Sequence, residues 1–243
     1  MTSRASGLEL RDVVAGYGGQ PILHGVSLTV QAGETLVVVG PNGSGKSTLM
    51  KTAVGLLRPM SGMIRLGDAD VSALGAPARA ARGLAYVPQE ANVFRNMTVV
   101  ENLQVGHDFV APSGSPGFAE RLEAVLALFP EIRVKLRSTA GLLSGGQRQM
   151  VAMAAALMPN PSVLALDEPS AGLSPRNAEL LFEVIGRVAA SGVTMLIVEQ
   201  NTRLGLGAAD QGVVLVSGKV RLAAPAATVL ADPDIRRLYL GGV

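Results

Sequence analysis

The chain has 243 residues, of which 48% are hydrophobic and 16% are charged, and its formal net charge is +2. This composition is typical of a globular protein with one sizeable core, and it excludes a largely disordered chain. Cysteine is absent, which excludes disulfides, thiolate metal sites and a cysteine nucleophile, while 3% aromatic residues and scattered arginines argue against nucleic-acid binding.

No apolar run in the sequence approaches the roughly 18–20 residues that a membrane-spanning helix needs. The first seven residues also lack the apolar stretch of a secretion signal. We therefore expect a protein of the cytoplasm, either free or held at the inner face of a membrane by a partner.

The first third of the chain predicts strands around a glycine-rich loop. Apolar and polar residues alternate over 26–30, which favours a half-buried antiparallel strand. The continuous run of mainly β-branched residues over 35–39 is typical of a buried parallel strand. A helix is predicted from 46 to 57, and a short apolar run over 84–87 predicts a further strand.

From residue 90 the pattern becomes helical, and it returns to alternating helices and strands after residue 145. Residues 111–117 are rich in Pro, Gly and Ser, and they predict a flexible loop within the helical span. The alternating part predicts, in chain order, helix 146–158, strand 163–166, helix 176–190, strand 194–198, helix 202–208 and strand 212–216. Such alternation indicates a parallel sheet that binds ligands at the carboxyl ends of its strands.

These patterns predict a single α/β domain. Its core comprises residues 7–88 and 146–220 and begins with an antiparallel β subdomain. Residues 90–145 form an inserted helical subdomain, and the alanine-rich tail 221–243 is predicted to be a short helical appendage.

The strongest motif is the segment GPNGSGKS at residues 40–47, which matches the phosphate-loop pattern G-x-x-x-x-G-K-[ST]. Its glycines let successive backbone N–H groups face an anion, and the following helix adds positive potential at its amino end. We expect Lys46 to reach the β- and γ-phosphates of a nucleotide, and the Ser47 hydroxyl to bind Mg²⁺. The alternative, a glycine-rich turn with a solvent-exposed lysine, is disfavoured by the flanking strand and helix. The predicted nucleotide-binding residues are Gly40, Pro41, Asn42, Gly43, Ser44, Gly45, Lys46, Ser47 and Thr48.

Two adjacent carboxylates, Asp167 and Glu168, follow the predicted strand 163–166. Adjacent residues at a strand end diverge, so the two can serve different roles. Asp167 is expected to hold Mg²⁺ through its water shell, and Glu168 to orient or deprotonate an attacking water. Without a phosphate loop, the same pair would indicate only a solvated strand end.

The segment LSGGQ at residues 143–147 immediately precedes a predicted helix rich in Ala and Met. Ser144 is expected to cap that helix, while Gly145 and Gly146 expose its backbone N–H groups beside Gln147. This arrangement predicts a second anion site, and two such sites suit one nucleotide if they come from different subunits. A plain helix N-cap is the alternative.

The phosphate loop, Gln89, LSGGQ and the Asp-Glu-Pro at 167–169 occur in an order and spacing that resemble the ATPase subunits of ABC transporters. The resemblance covers residues from about 8 to 220. It implies a P-loop NTPase core and a head-to-tail dimer with two ATP molecules between the subunits. The Ser144 region of one subunit would then complete the phosphate loop of the other.

The resemblance also gives roles to two residues outside the phosphate loop. Tyr17 would stack on the adenine ring, and Gln89 would contact Mg²⁺ or the attacking water and relay the nucleotide state to the helical lobe. The alternatives are an ordinary surface aromatic for Tyr17 and a polar strand-end residue for Gln89.

Two positions depart from the general family pattern. Ser174 stands where the family usually carries Asp, and Gln200 stands where the family carries its switch His. Gln200 cannot carry a positive charge, but its amide can donate a hydrogen bond to a γ-phosphate oxygen. The motifs YVPQ, EPSxGLxP, VEQN and RRLYLGG together are similar to the LivF-type ATPases of branched-chain amino-acid importers, and importers of urea or amides share much of this pattern.

The resemblance implies an ATP- and Mg²⁺-dependent ATPase that powers solute import. Its catalytic residues would be Lys46, Gln89, Glu168 and Gln200, and its Mg²⁺ ligands Ser47, Gln89 and Asp167. Implied partners are a homologous ATPase subunit, two permease subunits and an extracytoplasmic solute receptor. An ATP-gated module of a translation or DNA-repair assembly is the alternative, and a cassette that binds ATP without hydrolysing it is a third possibility.

Overall fold

The strands form two sheets in the computed structural model, which describes residues 6–90, 92–110, 116–233 and 235. None of the helices within these ranges has the length and apolarity that crossing a membrane requires. In chain order the strands are β1 (Leu8–Tyr17), β2 (Gln20–Val30), β3 (Thr35–Val39), β4 (Ser61–Leu66), β5 (Ala69–Asp70), β6 (Leu84–Val87), β7 (Val163–Asp167), β8 (Thr194–Val198), β9 (Gln211–Val216) and β10 (Lys219–Pro225). The helices are α1 (Lys46–Ala53), α2 (Ala76–Ala80), α3 (Val99–Val110), α4 (Phe118–Leu128), α5 (Pro130–Arg133), α6 (Gly145–Leu157), α7 (Pro175–Ala190), α8 (Thr202–Gly207) and α9 (Ala226–Ala231), with a 3-10 turn over Ala140–Leu142.

The first sheet is antiparallel and has the order β2-β1-β4-β5. Val26, Leu28 and Val30 of β2 are buried while the residues between them are exposed, so the predicted half-buried strand is confirmed. The apolar side chains of β1 face the same side, and the pairing of Leu10 with Leu28 brings both rows into one core.

The second sheet has the order β10-β9-β3-β8-β7-β6, and only β10 runs antiparallel to its neighbour. Every residue of β3, β7 and β8 is buried, as a parallel sheet covered on both faces requires. In the register, Val198 of β8 lies beside both Val38 of β3 and Asp167 of β7. The loops that follow these three strands therefore emerge side by side at one edge of the sheet.

The span between β6 and β7 is helical, as the sequence predicts. Helices α3, α4 and α6 pack around Leu103, Phe129 and Met150, and this apolar cluster continues into the parallel sheet. The buried guanidinium of Arg121 in α4 donates to the carbonyls of the last turn of α6, which ties the two helices together.

The helix predicted over 46–57 was too long, because α1 ends at Ala53. Gly55 follows with a φ of 83°, in the left-handed region that ends helices. The fully buried side chain of Arg79 in α2 donates to the carbonyls of Thr52 and Ala53 at 2.8 and 2.6 Å. The two carbonyls at the end of α1 therefore have hydrogen-bond donors without further helical turns. The same guanidinium also donates to two carbonyls of the segment that leads into α2.

The predicted helical tail was wrong at its start. Residues 219–225 form β10, an edge strand paired with β9, and only the short α9 follows it. The predicted flexible loop lies mostly in 111–115, and the RRLYLGG motif lies in 236–242; both segments fall outside the described residues.

Candidate active site

The phosphate loop runs from the end of β3 to the start of α1 and packs closely against the β9–β10 hairpin. A Cβ on Gly40 would lie 2.1 Å from the Leu215 carbonyl oxygen, so only glycine fits there. Gly45, with a φ of 103°, turns the chain into α1. The backbone N–H of Gly218 donates to the Ser44 carbonyl at 2.8 Å, which fixes the loop from its outer side.

Lys46 is 4% exposed, and its ammonium lies within the phosphate loop. Nζ donates to the carbonyl oxygens of Gly40 at 2.8 Å and Pro41 at 3.0 Å. Burial lowers the pKa of Lys46, whereas the carboxylates of Glu168 and Asp167 act in the opposite direction. An ammonium has three N–H donors, so one donor beyond these two bonds can serve a phosphate oxygen.

Asp167 ends β7 and is buried beside Tyr86 of β6. The Tyr86 hydroxyl donates to Asp167 Oδ2 at 3.3 Å. Burial raises the pKa of Asp167, and the hydrogen bond from Tyr86 opposes that rise. The other oxygen, Oδ1, is buried without a hydrogen-bond partner among the described residues. Mg²⁺ typically takes one or two carboxylates together with hydroxyl, water and phosphate oxygens, so an orphaned Asp167 oxygen together with the Ser47 hydroxyl suits this ion.

Glu168 lies one residue beyond β7 in a strained backbone conformation. Its φ is 45°, which is uncommon for a residue with a side chain, and its N–H donates to the Val198 carbonyl at 2.8 Å. The carboxylate is buried and accepts a hydrogen bond from Gln200 Nε2 at 2.9 Å. The Gln200 amide, which the sequence suggested for a γ-phosphate, therefore contacts the candidate base directly.

A cavity of about 410 Å³ joins most of the predicted catalytic and phosphate-binding residues. Its lining comprises Ile22, Asn42, Gly43, Gly45, Lys46, Ser47, Thr48, Gln89, Glu168 and Gln200. Gly40, Pro41 and Ser44 belong to the same loop but do not line the cavity, since Gly40 and Ser44 are buried and Pro41 is exposed elsewhere on the loop. Tyr17 does not line the cavity, and its ring is 47% exposed at the end of β1.

The Ser144 region lies apart from the phosphate loop of its own chain. Ser144 caps α6 as predicted: its Oγ accepts from the Gln147 N–H, while the Gln147 side chain accepts from the Ser144 N–H. Gly145 lines a different cavity of about 600 Å³, and Gln89 lines both that cavity and the first one. One chain therefore presents the two predicted anion sites on separate cavities that share Gln89.

Three residues of the site were missed by the sequence reasoning. Ile22 borders the cavity, and nothing in the sequence distinguishes it from other apolar residues of β2. Tyr86 is visible as the polar aromatic of the YVPQ motif, and Glu199 as an acidic residue directly after the apolar strand 194–198. For Tyr86 and Glu199, the sequence feature that could have identified them is a polar group within or next to an apolar strand.

Comparisons with known proteins agree with this geometry. The sequence profile of the ABC transporter family matches residues 23–171. A probable branched-chain amino acid transport ATP-binding protein LivF of Archaeoglobus fulgidus is 41% identical over 228 residues, covering 93% of this chain and 95% of that protein. The high-affinity branched-chain amino acid transport ATP-binding protein BraG of Pseudomonas aeruginosa is 38% identical over 226 residues, covering 93% and 96%. The lipopolysaccharide export system ATP-binding protein LptB of Escherichia coli is 34% identical over 240 residues, covering 96% and 97%.

Among solved structures, an ATP-binding cassette of an ABC transporter in its ADP conformation superimposes with a TM-score of 0.85. It is 28% identical to this chain, and the match covers 98% of this chain and 99% of that one. The two-sheet architecture with a helical span between β6 and β7 is therefore that of a known nucleotide-binding cassette.

Proposed function

The chain belongs to the ABC transporter family and is an ATPase of that family, and we propose that it powers the import of branched-chain amino acids. The observation that carries the choice of solute is the 41% and 38% identity to two transport ATP-binding proteins of that class. The 34% identity to LptB makes lipopolysaccharide export a second candidate. Importers of urea or amides are a further alternative that the sequence motifs leave open.

In the proposed reaction, Lys46 and the backbone N–H groups of the phosphate loop bind the β- and γ-phosphates of ATP. Asp167, Ser47 and Gln89 hold Mg²⁺, which when bound neutralises charge on the phosphate oxygens. Glu168 accepts the proton of the attacking water or orients that water. Gln200 donates to Glu168 and so keeps this carboxylate in a fixed position. Tyr17, which is exposed at the end of β1, stacks on the adenine ring.

We propose that the chain acts as a head-to-tail dimer together with two permease subunits, as its resemblance to the ATPase subunits of ABC transporters implies. We assign the amino end of α6, which is capped by exposed Ser144, to the ATP bound by the other subunit. A homologous subunit is the proposed partner, since Gln200 replaces the usual switch histidine and would make this site the weaker of two. A solute receptor on the outer side of the membrane completes the proposed importer.

The proposed docking site for the permease is an apolar groove between α2 and the helical span. The groove holds about 500 Å³ and is lined by Leu56, Pro77, Phe94, Val105 and Ala152, among others. Leu56 and Phe94 are 57% and 55% exposed, although both are large and apolar. An apolar permease segment in this groove would cover both side chains and hold the chain at the inner face of the membrane.

The test is uptake in proteoliposomes that contain this chain, its homologous subunit and the two permease subunits of a branched-chain amino-acid system from the same genome. With the solute receptor and ATP present, labelled leucine should accumulate, whereas Lys46→Ala should abolish uptake. Uptake of urea or acetamide alone, or a requirement for lipopolysaccharide-transport subunits, would refute the choice of solute.

A second experiment addresses the groove itself. Leu56→Glu should reduce co-purification with the permease by about tenfold while leaving the fold intact, because it places a charge in an apolar contact. Val134→Glu is the matched control, since Val134 is 84% exposed and lies outside the groove. Equal retention of the permease by both variants would remove the groove from the proposal.

A further inference from the structure

Glu199 is a fully enclosed carboxylate at the end of β8, and the reaction described above does not use it. Its side chain is 1% exposed, and its backbone N–H continues the sheet by donating to the Val38 carbonyl at 3.0 Å. Among the described residues, no lysine or arginine forms an ion pair with it. A buried carboxylate without an ion-pair partner is costly, even though its charge acts on nearby Lys46, so its presence needs an explanation other than packing.

The two oxygens of Glu199 bind two different loops. Oε1 accepts a hydrogen bond from the Ser170 N–H at 2.9 Å, and Oε2 accepts one from the Asn201 N–H at 3.0 Å. Burial raises the pKa of Glu199, and hydrogen bonds from the Ser170 side chain and from the backbone of Ser170, Asn201 and Gln200 oppose that rise because they favour the charged form. A side-chain amide has only one acceptor oxygen and could not serve both loops in the same way.

Both loops carry a residue of the candidate active site. Ser170 lies two residues beyond Glu168, and Asn201 directly follows Gln200. The side chains of Glu168 and Gln200 meet at 2.9 Å in the space between these loops. The Glu199 carboxylate thus bridges the backbone on the two sides of that contact.

Gly205 of helix α8 provides the space that the Glu199 side chain occupies. A Cβ on Gly205 would lie 3.2 Å from the Glu199 Cβ and 3.0 Å from Val37 Cγ1, so even one methyl group would press on Glu199. On the same helix, a Cβ on Gly207 would meet no atom within 4 Å. The packing around Glu199 is therefore close enough to fix the position of its carboxylate.

We infer that Glu199 is a positioning residue for ATP hydrolysis, which holds the two loops so that Gln200 and Glu168 stay in contact. Glu199 itself does not touch the nucleotide in this scheme. The inference rests on the roles proposed above for Glu168 and Gln200, and it predicts an effect on turnover rather than on ATP binding.

The test compares Glu199→Gln with the wild-type full chain in steady-state ATPase assays and in equilibrium titrations with Mg-ATP. We expect kcat to fall about tenfold, because one loop loses a hydrogen bond to a charged acceptor. The affinity for Mg-ATP should stay within about twofold of wild type. In a Gln200→Ala background, Glu199→Gln should lower kcat by less than about twofold, since the contact that it positions is already absent.

Any of three results would overturn the inference. These are a wild-type kcat in Glu199→Gln, a loss of ATP affinity as large as the loss of kcat, and an undiminished tenfold fall in kcat when Glu199→Gln is made in the Gln200→Ala background. If Glu199→Gln does not fold, Gly205→Ala displaces Glu199 sterically and should lower kcat about threefold at unchanged ATP affinity, while Gly207→Ala stays at the wild-type rate. Equal rates for these two glycine variants would also overturn it. Full turnover in Glu168→Gln would instead refute the proposed catalytic role of Glu168, so the two failures are distinguishable.

Discussion

Removing the Gln200 side chain tests whether the amide that replaces the family's switch histidine takes part in hydrolysis. In Gln200→Ala, Glu168 loses the donor that lies 2.9 Å from its Oε2. A hydrogen bond to a charged group contributes about 1.5–3 kcal/mol when it is buried. Gln200 is exposed, so water replaces part of the bond, and we expect a loss of about 1–1.4 kcal/mol, which is a five- to tenfold fall in kcat.

The assay is the initial rate of phosphate release at saturating Mg-ATP in the reconstituted transporter. Gln104→Ala is the matched control, because Gln104 makes the same kind of amide-to-carboxylate bond to Asp108 on α3, outside the active site. Gln200→His should preserve or raise turnover, since a protonated imidazole stabilises developing negative charge better than an amide does. A wild-type rate in Gln200→Ala would show that Gln200 takes no part in hydrolysis. It would also show that Gln200 does not make this ATP site the weaker of two.

Glu168→Gln should keep the affinity for ATP but lower kcat by about 10²–10⁴-fold, because an amide of the same shape cannot act as a base; trapping of an ATP-bound dimer in size-exclusion chromatography checks this, and turnover at the wild-type rate would contradict it. Lys46→Ala should weaken Mg-ATP binding about 10- to 100-fold in titration calorimetry, since an ammonium facing the phosphates is lost; unchanged affinity would mean that the phosphate loop is not the site. Arg79→Met should lower the free energy of unfolding by about 3 kcal/mol in urea titrations, because it leaves several buried carbonyls without a donor, whereas exposed Arg11→Met should change it by less than about 0.5 kcal/mol.

The elements that the sequence predicted well are those whose pattern is local. The phosphate loop, the buried strands 35–39 and 194–198 and the Ser144 cap each depend on a few consecutive residues. The tail was predicted to be helical because alanine favours helices. Its first residues instead form strand β10, because they pair with β9. A pairing of this kind leaves no local pattern in the sequence of the strand itself.

The contacts within the site depend on register and could not be predicted from the sequence. Glu168 meets Gln200 because Asp167 lies beside Val198 in the sheet, and residues 32 positions apart are thereby brought together. Tyr86 reaches Asp167 for the same reason, since β6 and β7 are neighbours. A motif shows which side chains are available, whereas the order of the strands decides which of them touch.

The buried guanidinium of Arg79 has a mechanical consequence. It fastens the carboxyl end of α1 to α2 through carbonyls on both sides, and it does so without contact with solvent. Helix α1 begins in the phosphate loop, while Pro77 of α2 lines the apolar groove. Because these hydrogen bonds are shielded from water, we expect the two helices to move together, so that a displacement of the groove wall would also displace the helix that begins at Lys46.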